Sequence, residues 1–412
     1  MKKQKIWYKL DAFAKTYSSI ISEGRTTCFR LSVLLYENID IELLEKVAFY
    51  MQEKYPFYNS ELKKGIFWNY LQHKRTPFNI VEESTYPCTE IKRKNPLRII
   101  YYKNKLSIEI AHFLTDGSGA MEFFKDMTEK YIELKYFPEE GCEENINKKV
   151  KKVEYSDLYT KYMKKVNKEK TVKKAFHLPL RILAKGQYHV TTGEISLEEL
   201  KKESGKYGTT IGKYLLAVYF KVLLEKYSYS GKEIVIGVPV DLRKIFGEKT
   251  YRNFFVNITP SIDSSLGNYT LEEIIEYLDG YFKIKITKKE FYKSIYKAMN
   301  PVRNVIIKGV PYLIKRMFFP FIFDYYGERG YTTGFSNLGI LKMPEKCSGY
   351  IKGYRFLPPP SKRCKVKIGV ISDFKNVYVS FGNLTTDYQI ERDFFVYLRK
   401  KGIKSKIITN FS

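Results

Sequence analysis

Two kinds of segment alternate along the chain, and this alternation limits the folds that are open to it. Short β-rich runs are separated by longer amphipathic or apolar stretches in both halves of the 412 residues. No short-period repeat is present, which excludes a solenoid. The length suits two or three domains, and 44% apolar residues are enough for packed cores. We therefore predict an α/β protein in which each half has a mixed β-sheet flanked by helices.

The first half contains a helix, a hairpin and a second helix. Apolar residues at helical spacing predict a helix over residues 40–55, which ends at Pro56. The runs Leu97–Tyr102 and Leu106–Ala111 predict a β-hairpin, since the second run alternates apolar and smaller or polar side chains. The loop HFLTDGSG follows, and then a helix from about residue 119 to 135.

The middle of the chain is rich in lysine. Residues 148–174 contain eleven lysines and three acidic residues, so this segment supplies +8 of the total charge of +27. We expect a solvated helix here that leads into a linker at residues 176–186. The predicted division is therefore an N-terminal subdomain over residues 1–178, with the HFLTDG loop, and a C-terminal subdomain over residues 187–412.

The second half again mixes strands and helices. Ser196-x-x-Glu199 is typical of a capping box, and Thr209 or Thr210 is placed to cap the next helix. The predicted elements are a strand at 187–195, helices that begin at Ser196 and near Thr210, a buried strand at 234–239, a strand in VYVSFGNL and a helix at 388–400.

The charge balance favours anionic partners without identifying one. Lys and Arg outnumber Asp and Glu by 72 to 45, and the pI is near 9.5. A biased composition that is rich in Lys, Ile and Tyr explains the same excess. Nucleic-acid binding is one hypothesis, supported by the interleaved lysines and aromatic residues of Tyr281–Lys297. No helix-turn-helix, zinc-finger or RNA-recognition motif accompanies them.

The cysteines indicate neither a disulfide framework nor a zinc site, because they are odd in number and contain no C-x-x-C pair. Cys364 lies between cationic residues that would lower its thiol pKa, but a surface thiol in a basic strand fits the same pattern. The five cysteines are Cys28, Cys88, Cys142, Cys347 and Cys364.

No segment has the pattern of a secretory signal or a membrane span. The charged N-terminus lacks a following apolar run and a small-residue cleavage site. The most apolar stretch, residues 310–326, is too short to span and is interrupted by proline and charged residues. We expect a cytoplasmic protein, and contact with a membrane surface is compatible with this sequence.

His112 is the leading candidate for a catalytic group among only four histidines. It continues the register of Leu106, Ile108 and Ile110, which places its side chain on the buried face if the strand extends that far. A neutral imidazole in a protected cavity suits a general base. Asp116 follows four residues later in a glycine-marked turn, where a carboxylate can pair with a cation or with backbone N–H groups. An ordinary half-buried histidine at a strand end fits the same residues.

The stretch AHFLTDG, residues 111–117, resembles the H-x-x-x-D-G signature of the acyltransferase superfamily that includes chloramphenicol acetyltransferase, alcohol O-acetyltransferases and peptide-synthetase condensation domains. As in that superfamily, it lies between a strand and a helix. Residues 195–243 resemble the opening of the second half of those enzymes, NFFVN at 253–257 resembles their F-V-N segment, and SNLG at 336–339 resembles a segment of the alcohol-acetyltransferase branch. The resemblance covers nearly the whole chain.

This resemblance implies two subdomains that face each other across an active-site tunnel. Donor and acceptor would meet at His112, which would act as the general base in a direct attack on a thioester. The motif residues Asp116 and Gly117 would shape the loop, and Arg243 in GVPVDLR is the expected partner of the structural Asp116. No metal is required, since a thioester is already activated.

The sequence departs from relatives of this superfamily at two places. Ala111 stands where many condensation domains have a first histidine, which favours the alcohol-acetyltransferase branch. The D-F-G-W-G motif of the plant branch is absent, and SNLG occupies the comparable region. Ser336 or Asn337 would donate to the oxyanion, or would simply turn a strand end, and Asn257 is a candidate tunnel residue.

The expected co-substrate is a free acyl-CoA, because the sequence shows no appended carrier or adenylation domain. Acyl-phosphopantetheine on a separate carrier protein is the alternative donor, with amide or ester formation. The acceptor is an alcohol or an amine, and Tyr312–Tyr326 either lines its channel or forms a buried helix. A non-enzymatic basic binding or scaffold protein is the remaining alternative, while the joint presence of His112, Asp116, Gly117 and Arg243 favours the enzyme.

Overall fold

The computed structural model describes residues 6–22, 25–91, 93–139, 152–166 and 173–411. The strands are β1 (Trp7–Lys9), β2 (Cys28–Leu35), β3 (Ser60–Lys63), β4 (Tyr70–His73), β5 (Asn79–Glu82), β6 (Leu97–Tyr102), β7 (Lys105–Ala111), β8 (His189–Ser196), β9 (Glu233–Asp241), β10 (Phe255–Ile258), β11 (Ser261–Asp263), β12 (Thr333–Ile340), β13 (Ile351–Leu357), β14 (Val366–Ser372), β15 (Asn376–Asn383) and β16 (Ser405–Thr409). The helices are α1 (Ala12–Ile20), α2 (Ile41–Lys54), α3 (Gly117–Tyr136), α4 (Leu158–Tyr162), α5 (Leu197–Lys206), α6 (Ile211–Tyr227), α7 (Arg243–Phe246), α8 (Leu271–Lys285), α9 (Lys288–Arg303), α10 (Val305–Gly309), α11 (Tyr312–Tyr326), α12 (Glu345–Ser348) and α13 (Gln389–Lys400).

Four strands of the first half, together with β13 from the second, form a five-stranded mixed sheet in the order β13-β2-β7-β6-β5. Only the β5–β6 pair is parallel. Apolar side chains of α2 and α3, among them Val47, Met51 and Phe124, share one core with β2 and β7. A small antiparallel sheet, β1-β4-β3, lies beside these elements.

The second half forms an eight-stranded mixed sheet. Its order is β10-β9-β12-β14-β15-β8-β16, and β11 also pairs with β9. Strand β12 is parallel to both β9 and β14, and the other pairs are antiparallel. The apolar helix α6 packs in its core, where Leu215, Leu216 and Val218 are fully buried. The predicted α/β class, with mixed sheets flanked by helices, is confirmed.

One strand crosses from the second half to the first. Strand β13 falls within residues 187–412 of the chain, but it pairs antiparallel with β2, where Tyr354 lies opposite Val33. Tyr354 and Phe356 are buried in the core of the first sheet. The predicted division at residues 1–178 and 187–412 did not anticipate this exchange, and its boundaries stay a prediction.

Most elements with strong local signals are confirmed. Asp40 caps α2 by accepting a hydrogen bond from the backbone N–H of Leu43, and the helix ends before Pro56. The predicted hairpin is β6 and β7, joined at Lys103, whose φ is 50°. Thr210 caps α6, and the predicted strands and helices of the second half occur within a few residues of their expected bounds.

The alternation in β7 did not predict that both of its faces are buried. Ser107 and Glu109, on the more polar face, are as inaccessible as Ile108. The Glu109 carboxylate is paired with Arg30 at 2.6 Å and with Arg98 at 2.7 Å, which compensates the burial of its charge.

The lysine-rich segment differs from the predicted solvated helix. Part of residues 148–174 lies outside the described residues. Within 152–166 a single turn at Lys152–Tyr155 precedes the five-residue α4, and the aromatic side chains of Tyr155 and Tyr159 are buried rather than solvated. The Tyr159 hydroxyl donates to the backbone carbonyl of Phe255 at 2.7 Å, so this segment is held against β10.

The expectation of a buried helix at Tyr312–Tyr326 was wrong for most of α11. Tyr312 and Phe319 are buried, but most of its other large apolar side chains are exposed to solvent. Among the described residues, no helix is long and apolar enough to cross a membrane.

Candidate active site

His112 lies in the turn that directly follows β7. Its backbone N–H donates to the carbonyl of Thr27 at 2.9 Å, which ties the turn to the start of β2. The ring stacks on Tyr17 of α1 with centroids 4.5 Å apart, and Phe29 and Phe255 flank it at 5.3 and 5.4 Å. The strand thus ends one residue before His112, and aromatic packing from both halves of the chain fixes the half-buried imidazole.

A chain of side-chain hydrogen bonds orients the imidazole. The Nδ1 atom of His112 lies 3.1 Å from Oδ1 of Asn253, and Nδ2 of Asn253 donates to Oδ2 of Asp11 at 3.3 Å. Because the carboxylate only accepts, the amide oxygen of Asn253 faces the histidine. Nδ1 is then the protonated nitrogen, and Nε2 keeps its lone pair.

Asp11 anchors this chain at the start of α1. It caps the helix by accepting a hydrogen bond from the N–H of Ala14 at 2.8 Å, and its second oxygen lies 3.4 Å from the guanidinium of Arg252. Arg252 is itself held by the carbonyl of Lys9 at 2.7 Å. The side chains of Asp11, Arg252 and Asn253 are buried, so the support of His112 is fixed by the fold.

Burial sets the protonation state of the site. It lowers the pKa of His112 below the ordinary histidine value of 6.5, although the nearby Asp116 and the bond to Asn253 oppose this. The imidazole is therefore neutral at neutral pH. Burial also raises the pKa of Asp11 to about 6, against the attraction of Arg252.

Asp116 is held by a dense set of hydrogen bonds. Its carboxylate forms a two-pronged pair with Arg243, at 2.9 and 3.0 Å, and accepts from the N–H of Phe254 at 2.7 Å and of Gly119 at 3.0 Å. The bond from Gly119 makes Asp116 the N-cap of α3. The structure thus brings together the motif aspartate and the arginine named from the sequence.

Arg243 is also held by hydrogen bonds to residues near it in sequence. Its Nε donates to the carbonyl of Thr250 at 2.8 Å, and its NH1 donates to Asp241 at 2.8 Å. Asp116 and Arg243 therefore join the loop after β7 to the segment between β9 and β10.

Gly117 and Gly119 lie where distant segments of the chain approach the first turn of α3. A Cβ on Gly117 would lie 2.5 Å from Cδ2 of Leu338. A Cβ on Gly119 would lie 2.6 Å from the backbone oxygen of Tyr251 and 2.3 Å from Oγ1 of Thr115. Gly119 excludes a side chain because a backbone atom faces it, whereas a Cβ at Gly117 would displace only the end of the Leu338 side chain.

The SNLG segment forms the end of β12, where its register with β14 shifts between Asn337 and Ile340. Ser336 is half-buried, while Asn337 is exposed and its Oδ1 accepts from the N–H of Gly339 at 2.8 Å. Asn257 is exposed on β10. The contact between this segment and the motif is made by Leu338, and the oxyanion or tunnel roles of Ser336, Asn337 and Asn257 stay predictions.

Sequence reasoning missed the support of His112. Asn253 stands in the same NFFVN segment as Asn257, but it is Asn253 that contacts the histidine. Asp11 and Tyr17 lie about a hundred residues before His112, in a helix with no motif. The one available signal was Asp11 followed by Ala-Phe-Ala, a helix N-cap pattern that indicates a helix but not its neighbour.

Other kinds of site are not supported. No group of His, Cys, Asp and Glu side chains that would hold a metal ion is present in the described part of the chain. Cys364 is buried, which raises its thiol pKa to about 12, so neither a reactive thiolate nor a surface thiol describes it. Cys28, Cys88 and Cys347 are also free and buried, and Cys142 lies outside the described residues.

Comparisons with known proteins establish the fold. No family model and no curated protein matches the sequence. Among solved structures, TRI101 from Fusarium sporotrichioides in complex with coenzyme A and T-2 is 9% identical with a TM-score of 0.64, covering 98% of this chain and 100% of that one. The TRI3 trichothecene 15-O-acetyltransferase of the same fungus is 10% identical, with a TM-score of 0.61 over 94% and 92%.

A domain of a peptide synthetase has the same fold. The epimerization domain from the third module of tyrocidine synthetase B is 13% identical, with a TM-score of 0.58 over 96% of this chain and 95% of that one. The chain therefore has the two-subdomain α/β fold of these proteins over nearly all of its length. At such identities the likeness carries the fold, and the chemistry has to be argued from the site.

Proposed function

We propose that this protein is an acyltransferase that moves an acyl group from a thioester, in the first instance an acyl-CoA, to an acceptor hydroxyl. The observation that carries the proposal is the state of His112. Its Nδ1 is engaged by Asn253 at 3.1 Å, its ring is held by Tyr17, and its pKa is lowered by burial. A neutral, oriented imidazole with a basic Nε2 is what a general base requires.

The proposed reaction needs no covalent enzyme intermediate. Nε2 of His112 takes the proton of the acceptor hydroxyl while its oxygen attacks the thioester carbonyl carbon. The tetrahedral intermediate then collapses with cleavage of the carbon–sulfur bond, and the imidazolium returns the proton to the departing thiolate. The ester and the free thiol leave, and His112 is neutral again.

Asn253 and Asp11 have positioning roles in this proposal. When the imidazole gains a proton at Nε2, Nδ1 still donates to the Asn253 oxygen, so the ring does not turn between the two proton transfers. The Asp116–Arg243 pair fixes the loop and the first turn of α3. Because Asn253 and Phe255 come from the second half of the chain, we place the substrate tunnel between the two subdomains, at His112.

The branch of the superfamily and the nature of the oxyanion donors belong to this proposal too. An alcohol O-acetyltransferase fits the presence of Ala111 before His112 and of SNLG at 336–339. Ser336 and Asn337 are proposed as oxyanion donors. The next residue, Leu338, packs on Gly117 at the start of α3, so this segment lies beside the motif loop. Asn257 is proposed as a residue of the tunnel wall.

Free acyl-CoA is the proposed donor. A structurally similar protein was solved with coenzyme A. A carrier-bound acyl group is the second candidate, because the same fold occurs in a peptide-synthetase domain.

Nucleic-acid binding through Tyr281–Lys297 has less support than acyl transfer, because no nucleic-acid-binding motif accompanies these residues. Among their aromatic side chains, Phe291 is fully buried in a core with Phe254 and cannot stack on a base, while Tyr281, Phe282, Tyr292 and Tyr296 are partly buried.

Thiol release tests the proposal. Purified protein is incubated with a panel of acyl-CoAs and alcohols or amines, and free thiol is measured with and without acceptor against His112→Ala as background. Acceptor-dependent release by the wild type alone supports the proposal. If no acyl-CoA is consumed but an acylated carrier protein is, the donor assignment is wrong; if neither is consumed, the acyltransferase proposal fails.

A further inference from the structure

Helix α11 presents an unusually apolar surface to solvent. Leu313, Met317 and Phe321, spaced four residues apart, are 69%, 68% and 74% exposed, and Phe318 beside them is 56% exposed. Ile66 and Phe67 in the adjoining loop are also exposed. This loop lies beside α11, since the N–H of Tyr312 donates to the carbonyl of Ile66. We call the surface of these six residues the apolar face.

The apolar face belongs to a firmly held helix. Lys315 points inward, where it donates to the carbonyl of Phe67 at 2.8 Å and lies 3.8 Å from the ring of Trp68. The Tyr312 hydroxyl accepts from Asn69 at 2.9 Å, and Phe319 packs edge-on against Trp68. The outward side chains are therefore exposed because the fold presents them, not because the helix is detached from it.

Cations outnumber acidic residues beside the apolar face, and the two acidic residues that flank it, Asp324 and Glu61, are paired with Arg25 and Lys63. Residues 303–323 contain four cations and no acidic residue, and residues 62–75 contain four cations and no acidic residue. Lys64, Arg303, Lys308 and Arg316 are exposed. An apolar stripe with a basic border is typical of surfaces that bind an anionic bilayer, where large apolar side chains enter the headgroup region and cations meet lipid phosphates.

We propose that the apolar face docks this protein on the surface of an anionic membrane. A second copy of the chain is a poorer occupant, since a symmetric contact would bring the same cations together in a protein whose net charge is +27. An anionic bilayer complements both the charge and the apolar side chains. Phe318, Phe321 and Met317 would enter the interface, while Arg316 and Lys308 would pair with headgroups.

The position of α11 also points to a class of acceptor. Its inward Phe323 lies 6.1 Å from the ring of Tyr17, which stacks on His112. The docked surface would therefore be separated from the catalytic histidine by two aromatic side chains. This step rests on the proposed acyltransferase function: the acceptor is a lipid-like alcohol that reaches His112 from the bilayer.

Vesicle binding tests the docking without relying on activity. Wild-type protein is sedimented with phosphatidylcholine vesicles that contain about a third phosphatidylserine, and with pure phosphatidylcholine vesicles, at low and physiological salt. The double variant Phe318→Ser/Phe321→Ser removes two exposed rings. Phe374→Ser, at a 62% exposed aromatic residue away from α11 in the chain, is the matched control.

We expect binding to the anionic vesicles that weakens with salt, is at least about tenfold weaker in the double variant, and is unchanged in Phe374→Ser. Equal binding by the double variant, or no vesicle binding by the wild type, would overturn the proposal. So would a wild-type dimer in sedimentation velocity that the double variant abolishes, since the face would then bind a second copy.

Thiol release with a water-soluble acceptor separates this test from the proposed function. The double variant should keep wild-type turnover with that acceptor and lose the advantage of a vesicle-borne alcohol. Turnover without vesicle binding would contradict the docking alone, and vesicle binding without turnover would contradict the acyltransferase alone.

Discussion

His112 and Asp116 lie four residues apart in one loop, yet they differ in how many hydrogen bonds their side chains make. Asp116 accepts four hydrogen bonds, from both guanidinium NH2 groups of Arg243 and from two backbone N–H groups. His112 has one side-chain bond, at Nδ1, and aromatic rings around it. The described part of the chain offers no partner to its Nε2.

This difference indicates a structural role for Asp116 and a chemical role for His112. A carboxylate with all its bonds occupied has no capacity left for a substrate, so Asp116 stabilises the loop. A ring that is oriented through one nitrogen and open at the other can exchange a proton with a substrate. Variants at Asp116 and its partners should therefore act on folding, and variants at His112 and its partners on turnover.

Loss of the Arg243 side chain should give the largest effect. In Arg243→Ala the buried carboxylate of Asp116 loses its counter-ion, and removing one partner of a buried pair typically costs about 3–5 kcal/mol of unfolding free energy. Urea unfolding followed by circular dichroism measures it. Lys244→Ala, at the exposed neighbouring cation, is the control and should change little. A similar stability for both variants would mean that the pair does not hold the loop.

Loss of the Asn253 amide should affect turnover more than folding. Asn253→Ala removes the acceptor of the Nδ1 proton, so the imidazole can take the other tautomer, and we expect kcat to fall by about 10–100-fold, the usual cost of losing a group that orients a functional histidine. Asn253→Asp restores an acceptor and brings a negative charge to Nδ1. It should recover part of kcat and move the acid limb of the pH profile upward. An unchanged limb would argue against the contact.

Gly117 of the motif and Gly119, two residues after it, extend this comparison to packing. Gly119→Ala places a Cβ against the backbone oxygen of Tyr251, which does not yield, and should cost about 1–3 kcal/mol of unfolding free energy. Gly117→Ala meets only the end of the Leu338 side chain, which can turn aside, and should cost less. Thermal or urea unfolding of both variants measures the difference. The reverse order would mean that β12 is more rigid than its contacts indicate.

The pH dependence of the wild type should show the smallest effect. Because burial lowers the pKa of His112, kcat/KM should stay level as the pH falls through 6.5 and decline only below it, when the base takes up a proton. The same shift makes folding stability fall from pH 6.5 downward, since the unfolded histidine binds the proton more readily. Asp11, with a pKa raised to about 6, titrates in the same range, so Asp11→Asn is measured in parallel. An acid limb above pH 6.5 would contradict a buried neutral base.

The sequence predicted best what depends on neighbouring residues. The β6–β7 hairpin, the cap of α2 at Asp40 and the cap of α6 at Thr210 follow from local patterns, and the structure has all three. The Arg243 partner of Asp116, 127 residues away, came from resemblance and not from spacing.

Contacts between segments that are distant in the chain could not be predicted from the sequence. Asn253 contacts His112 across 141 residues of sequence, and β13 pairs with β2, a strand of the other half of the chain. Neither has a local signature, because an asparagine before a strand and an ordinary β-run look the same wherever the fold places them. The exposed face of α11 was missed for a related reason: its composition resembles that of a buried helix, and only the packing shows which side faces solvent.

The most direct test of the division between chemistry and structure is thiol release by His112→Ala, with its unfolding free energy measured on the same preparation. We expect turnover to fall by about 10²–10⁴-fold, the usual contribution of a general base, while the unfolding free energy stays within about 1 kcal/mol of the wild type. Turnover within tenfold of the wild type in a folded variant would contradict the assignment of His112 as the base.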